Sequence, residues 1–232
     1  MALIDEIRRL RDESLSALDA SHNYFVHTQI AWRLVQQMVR EGHKVTIRNQ
    51  ATGNSVDEAE LSGLAQGYVT SYLASATLQH FVSLFEQFVF EFVRSWRIRY
   101  PGSLSDKELK FRTVLDSASK DEIAAAIVER EVHGLAYQRV ADWFTYLERL
   151  AKLGCPNQDE VERLAEIKAS RDVLVHNNGI ANSIYVDKSM GRARFADGDK
   201  LELPEHYHRE SWELIKQIVT NVADAAINKR GL

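Results

Sequence analysis

Arg171-Asp172-Val173-Leu174-Val175-His176 brings three chemically capable side chains into one short stretch of chain. Histidine ordinarily titrates near neutrality, so it can take up or release a proton under physiological conditions. Arginine stays cationic and presents a planar fork of donors that fits phosphate or carboxylate oxygens. On a helix, residues four apart are neighbours, so Asp172 can touch His176 and orient its ring. Arg171 precedes His176 by five residues, about 140° around an ideal helix, and therefore lies beside it rather than in line. Asn177-Asn178-Gly179 reads as a helix terminator, which puts His176 in or near the last turn. A plainer structural reading stands beside the chemical one. A histidine in a last helical turn complements the open carbonyls there, and an Arg-Asp pair can be a solvated face.

The elements that must position these residues are helical. Leu3, Ile7, Leu10, Leu15 and Leu18, then Ile30, Leu34, Val35 and Met38, recur at helical spacing and predict one long helix or two collinear ones over roughly Leu3 to Arg40, stopped by Gly42. The stretch from His43 to Asn54, with Lys44-Val-Thr-Ile-Arg48 alternating and Ala51-Thr-Gly-Asn54 as a turn, predicts an exposed loop or small hairpin. A second long helix is expected from Val56 to Tyr100. There Phe81, Phe85, Phe88 and Phe92 form one stripe and Val82, Val89, Val93 and Trp96 a neighbouring one. A helix so apolar around its girth must be covered on several sides, either as a central core helix or against a second subunit.

Capping patterns at Ser105-x-x-Glu108, Ser119-x-x-Glu122 and Asn157-x-x-Glu160 open helices over about 106–117, 120–133 and 158–177, with another over 135–152. Leu164, Ile167, Leu174 and Val175 mark the expected buried side of the motif helix. Beyond Gly179, Ile184-Tyr-Val186 and Leu201-Glu-Leu203 read as short extended pieces around an Asp197-Gly-Asp turn. Pro204 then heads a last helix over 205–228, with Trp212, Ile215, Ile218, Val219 and Val222 on its buried face. The fold class is thus all-α: a bundle of long helices with a small β-like insertion before the last one. Residues 1–55 form an N-terminal helical extension and loop, and residues 56–232 the main helical domain.

Composition narrows the function classes. With 29 Lys and Arg against 33 Asp and Glu, the net charge is −4, so the chain is no general binder of nucleic acid, and any RNA must meet a local basic cleft. The single cysteine, Cys155, excludes an internal disulfide framework and suits a reducing, cytoplasmic compartment. The start MALIDEIRRLRD is too charged for a signal peptide, and no apolar stretch is long enough to span a membrane.

The motif region resembles the HEPN superfamily, whose signature is an Arg, four to six residues, then a His, often with Asn, Asp or His directly after the Arg. Here Arg171 and Asp172 are followed by His176. The Asn177-Asn178-Gly179-Ile180 run, Tyr185 and the upstream Phe85-Glu86 inside an apolar helix fit the same pattern over about residues 65–228. The resemblance implies a homodimer in which two copies of the motif helix meet and form one composite, metal-independent endoribonuclease site without a cofactor. Arg171 and His176 would be catalytic and Asp172 would orient His176. Lys168 and Asn177 are candidate RNA contacts, and Glu86 is a candidate supporting group. RNA supplies its own 2′-hydroxyl nucleophile, so the expected products are a 2′,3′-cyclic phosphate and a 5′-hydroxyl. Such proteins include toxins of toxin–antitoxin or antiphage systems, which implies an antitoxin protein as a partner. The alternative is a non-catalytic helical module of the same fold used for dimerisation or RNA binding.

Other candidates are weaker. His206-Tyr-His208 has a metal-binding spacing on a strand, but on a helix the two side chains diverge. Arg94, Arg97 and Arg99 around Trp96 form a local basic-aromatic spot, and Arg192 and Arg194 another. His133, beside Gly134, reads as a helix C-terminal residue. Cys155, beside Pro156, has no adjacent base and reads as inert.

Overall fold

The computed structural model describes residues 2–101, 114 and 117–229 and is built from α-helices, with no sheet among the described residues. Helix α1 spans Leu3–Arg40, and Asp5 and Glu6 complement its first turn. It ends where Gly42 adopts φ +80°, letting the Gly42 and His43 amides turn back onto the Val39 and Met38 carbonyls. The following loop is closed by one antiparallel bridge between Arg48 and Ser55. The Asp57 side chain accepts from the Glu60 amide at 2.8 Å and opens α2, Glu58–Gly67. A π-helical segment, Tyr68–Leu73, joins α2 to α3, Ala74–Arg99.

Helix α3 is the core of the molecule. Phe81, Phe85, Phe88 and Phe92 are all buried, as are Val82, Val89, Val93 and Trp96. Burying each phenylalanine contributes about 1.5–3 kcal/mol relative to leaving it in water. The cover comes from the same chain: α1 on one side, then α4 (Lys120–Ala136), α6 (Gln158–His176) and α8 (Glu205–Ile227) around the rest, while α5 (Val140–Ala151) packs on α6. The apolar girth of α3 therefore gives no argument for a second subunit.

Leu3, Ile7, Leu10, Leu18 and Phe25 of α1 belong to the same hydrophobic cluster as α3, so α1 packs on the core that α3 forms. Arg11 with Asp224 and Lys216 with Asp19, both at 2.5 Å, further tie α1 to α8. The helix expected over 106–117 lies almost wholly outside the described residues. The helix expected at 135 starts at Val140, because α4 runs on to Ala136, with Leu135 buried in the core.

The insertion after α6 is extended in part, but one of its two expected extended pieces is helical. Ile184-Tyr185-Val186 lies in a short helix, α7 (Ser183–Lys188). Asn182 caps it by accepting from the Tyr185 amide at 2.9 Å, and Tyr185 is buried while Ile184 and Val186 stay exposed. One antiparallel bridge, Ile180 to Lys200, is the extended pairing that closes the insertion, and Gly198 makes the expected turn at φ +92°. The insertion packs back onto α6 through Ala181, Tyr185 and Leu201 against Ala169 and Val173. Among the described residues no helix is long and apolar enough to cross a membrane.

Candidate functional site

Helix α6 carries the motif and is fixed at both ends. Asn157 and Glu160 cap it reciprocally, each side chain accepting from the other residue's backbone amide at 3.0 and 2.7 Å. It ends at His176. The Asn177 and Gly179 amides both return to the Val173 carbonyl, with Asn178 and Gly179 at positive φ. Leu164 and Ile167 are buried as expected, Leu174 is half-buried, and Val175 faces solvent, a correction to its expected burial.

The half-buried face of α6 holds an ion network. Arg171 pairs with Glu86 of α3 and, at 3.1 Å, with Asp172. Lys168 reaches Asp172 at 3.2 Å and Glu86 at 3.5 Å, and lies 5.6 Å from the centre of the Trp143 ring. Lys188, at the end of α7, approaches Asp172 at 3.6 Å. Three cations thus meet two carboxylates, an excess of positive charge on a chain that is acidic overall. The guanidinium fork of Arg171 is held from both sides, and its Nε is enclosed without a partner.

The structure brings Arg171, Asp172, Lys168 and Glu86 together but does not join His176 to them. His176 is exposed, and among the described residues nothing hydrogen-bonds its ring. The expected Asp172–His176 contact is therefore absent: Asp172 turns towards the three cations instead, because charge-assisted contacts outweigh a bond to an exposed ring. Lys168 is not the freely solvated helical lysine that a surface position would give, since its side chain is only 16% exposed. Asn177 has a local task, with its amide donating to the Ile180 carbonyl at 2.6 Å and closing the turn after α6.

A second polar centre went unnoticed in the sequence. Glu166, buried one turn and a half before Arg171, accepts from Ser170 at 2.8 Å, Tyr185 at 2.9 Å, the Arg194 Nε at 3.0 Å and Tyr207 at 2.8 Å. The Arg194 guanidinium also lies over the Tyr207 ring, 3.4 Å from its centre. Burial, reinforced by the Glu166 charge, raises both tyrosines above their ordinary range. They are donors here, not acids. The cue was Glu166 and Ser170 sharing, at i and i+4, the α6 face that Val173 continues into the interior. This fully bonded carboxylate locks α6, the insertion and α8 together.

The remaining candidates resolve structurally. His206 is exposed and His208 buried, so they diverge, and among the described residues no three His, Cys, Asp or Glu side chains converge as metal ligands. Arg97 is buried against Glu131 at 3.0 Å and donates to the Tyr146 hydroxyl, which burial pushes up to about 12. Arg94 is bound by Glu91 and Glu129, and Trp96 is core, so of this basic-aromatic spot only Arg99 is left exposed. Arg192 is paired with Asp159 and Glu162. His133 packs edge-on against Tyr137 near the end of α4, and burial pushes the Cys155 thiol up, away from the reactive thiolate.

No family model, no curated protein and no solved structure matches the chain.

Proposed function

We propose that the protein is a metal-independent endoribonuclease of HEPN type that acts as a homodimer, in the manner of a toxin or antiphage effector. The observation that carries this reading is the division of labour along α6. Arg171 is pre-positioned by Glu86 and Asp172 in a locally cationic cluster, while His176, at the end of the same helix, is exposed and unengaged. Catalysis of RNA transesterification needs both: a fixed cation for charge building on the phosphoryl oxygens and a free imidazole for proton transfer.

The 2′-oxygen attacks phosphorus and loses its proton to one imidazole. The bond from phosphorus to the 5′-oxygen breaks, and a second imidazole protonates that leaving oxygen. One chain supplies one histidine of this kind, so the reaction uses two chains. Around His176 the side chains of Val175, Ile180, Ile184 and Val186 remain exposed, which supports an apolar contact between two copies at this end of α6.

Incubating the purified protein with total RNA in EDTA tests the reading. Cleavage to 2′,3′-cyclic phosphate ends, lost in Arg171→Ala and His176→Ala, is expected; full activity in either variant overturns it. A second reading, a non-catalytic helical dimerisation or RNA-binding module, is favoured by one specific observation: the Arg171 fork is already occupied by two carboxylates. It predicts intact RNA in the same assay.

A further inference from the structure

A cleft of about 1070 Å³ opens between the second half of α1, the π-helical segment with the start of α3, and the chain that leaves α6 and leads into α8. Its wall includes Asn178, two residues beyond His176, so the turn that ends the motif helix also borders this cleft.

The lining is of a particular kind. Gln29 is 94% buried by its 6% exposure, yet its amide makes no hydrogen bond among the described residues and faces the cleft. The amide atoms are not among the enclosed, unsatisfied groups of the protein, so the donor and acceptor of Gln29 stay open to the cleft and free for a ligand. Trp32 and Tyr72 offer ring faces at the rim, linked through Tyr68 in a ladder with centroids 5.4 and 6.2 Å apart. Tyr72 is 73% exposed, which leaves much of its ring open to a ligand. The π-helical segment re-aims these side chains relative to a regular helix, a distortion often found where a helix borders a ligand. Charge in the cleft is nearly balanced: Arg33 is paired across the mouth with Glu205 at 3.1 Å, while Lys200 has no ion-pair partner among the described residues.

We infer that this cleft binds unpaired bases of single-stranded RNA, stacked on Trp32 and Tyr72 with a base edge hydrogen-bonded to the Gln29 amide. A side-chain amide presents a donor and an acceptor side by side, which matches a base edge, and every base has a face to stack. Lys200 then meets a backbone phosphate. The volume of about 1070 Å³ lies at the top of the roughly 300–1,000 Å³ range of ligand sites, room for one or two nucleotides. The ligand class rests on the ribonuclease reading above; the location rests on the cleft alone.

The test is fluorescence anisotropy of a short fluorescein-labelled single-stranded RNA, in EDTA, with full-length His176→Ala protein so that no cutting intervenes. Adding Gln29→Met or Trp32→Leu to that protein is expected to weaken binding roughly tenfold. Gln29→Met should melt close to the parent's temperature, because the Gln29 amide bonds no protein group among the described residues; a merely structural glutamine would lower it. Unchanged binding in both variants, or no binding of the RNA by the parent, overturns the inference. If the wild-type chain cuts RNA while the cleft variants bind as well as the parent, the cleft falls and the nuclease stands. If the wild-type chain leaves RNA intact yet binding depends on Gln29 and Trp32, the cleft stands and the nuclease falls.

Discussion

Arg171 on α6 is ion-paired with Glu86 on α3, so the arginine of the motif is anchored to the core helix rather than to its own histidine. Glu86 neighbours Phe85, one of the most buried side chains in the protein. A rigid, apolar rod thus carries the carboxylate that sets where the guanidinium points, and the histidine is left to solvent.

Glu86→Ala is expected to destabilise the fold while His176→Ala is not. Removing Glu86 leaves Arg171 with Asp172 alone and weakens the hold on Lys168, a loss of about 1–2 kcal/mol for a half-buried, charge-assisted pair. His176 is exposed and its ring is bonded to nothing among the described residues, so its truncation should stay within about 0.5 kcal/mol. Urea unfolding of both variants checks this. Equal destabilisation would mean that Arg171 is held by something other than Glu86.

Acid should unfold the protein through His208. The Thr77 hydroxyl donates to the Leu73 carbonyl at 2.7 Å and has one proton, so at 2.6 Å from the His208 Nε2 it must accept from the ring. That places a ring proton on Nε2, and the enclosed Nδ1 has no acceptor among the described residues for a second one, which disfavours the charged ring. Burial, aided by the charge of His22, pushes His208 down to about 3. His22, stacked on Trp212 with centroids 4.2 Å apart, is lowered as well, again by burial. Below the ordinary histidine value of 6.5 the unfolded chain takes up protons that the folded chain refuses. Stability is then complete above that pH and falls as pH drops towards 3, by up to roughly 1.4 kcal/mol per pH unit for such a group. Urea midpoints at mildly acidic and at neutral pH should show the loss, and His208→Gln should flatten it. An unchanged slope in that variant would remove His208 as the cause.

The bundle was legible because α3 wears its burial on its surface: Phe81, Phe85, Phe88 and Phe92 repeat at the helical period, and Asp57, Ser119, Asn157 and Asn182 cap helices through local bonds. Of these, Ser119 and Asn157 show as capping patterns in the sequence; Asp57 and Asn182 do not, and Ile184-Tyr185-Val186 reads as extended. The polar site was legible only in its membership. Arg171, Asp172, Lys168 and Glu86 could each be named from the sequence, but their partners could not. Asp172 had a neighbour at i+4 in His176 and another at i−4 in Lys168, and only the approach of α3 and Lys188 decides between them. Glu166 was hidden for the same reason: apart from Ser170 on its own helix, its donors come from α7, the insertion and α8.

Tyr207→Phe should cost more than Tyr185→Phe. Tyr207 donates to the Glu166 Oε2, and among the described residues no other donor reaches that oxygen. Tyr185 shares Oε1 with Ser170 and Arg194. Leaving a buried carboxylate oxygen bare costs about 1–3 kcal/mol, whereas Oε1 keeps two donors. Chemical denaturation of the two variants decides it, and the reverse order would show that Arg194 moves to cover Oε2. RNA cleavage should follow stability in both variants, since neither hydroxyl faces the Arg171 network.

Ile184→Glu should separate the two chains and abolish cleavage without touching Arg171 or His176. Helix α3 is sealed by its own chain, so any dimer must use another surface. Ile184, 59% exposed, stands with Val175, Ile180 and Val186 beside the end of α6. A buried carboxylate at the centre of such a contact is costly unless paired, and two copies about a two-fold axis would set like charges against each other. Sedimentation at micromolar concentration should show a dimer for the wild-type chain and a monomer for Ile184→Glu, with the helical content of both unchanged because the side chain points to solvent. A wild-type monomer that still cuts RNA would require both proton transfers from a single chain, which has one His176, and the two-chain mechanism would have to be given up.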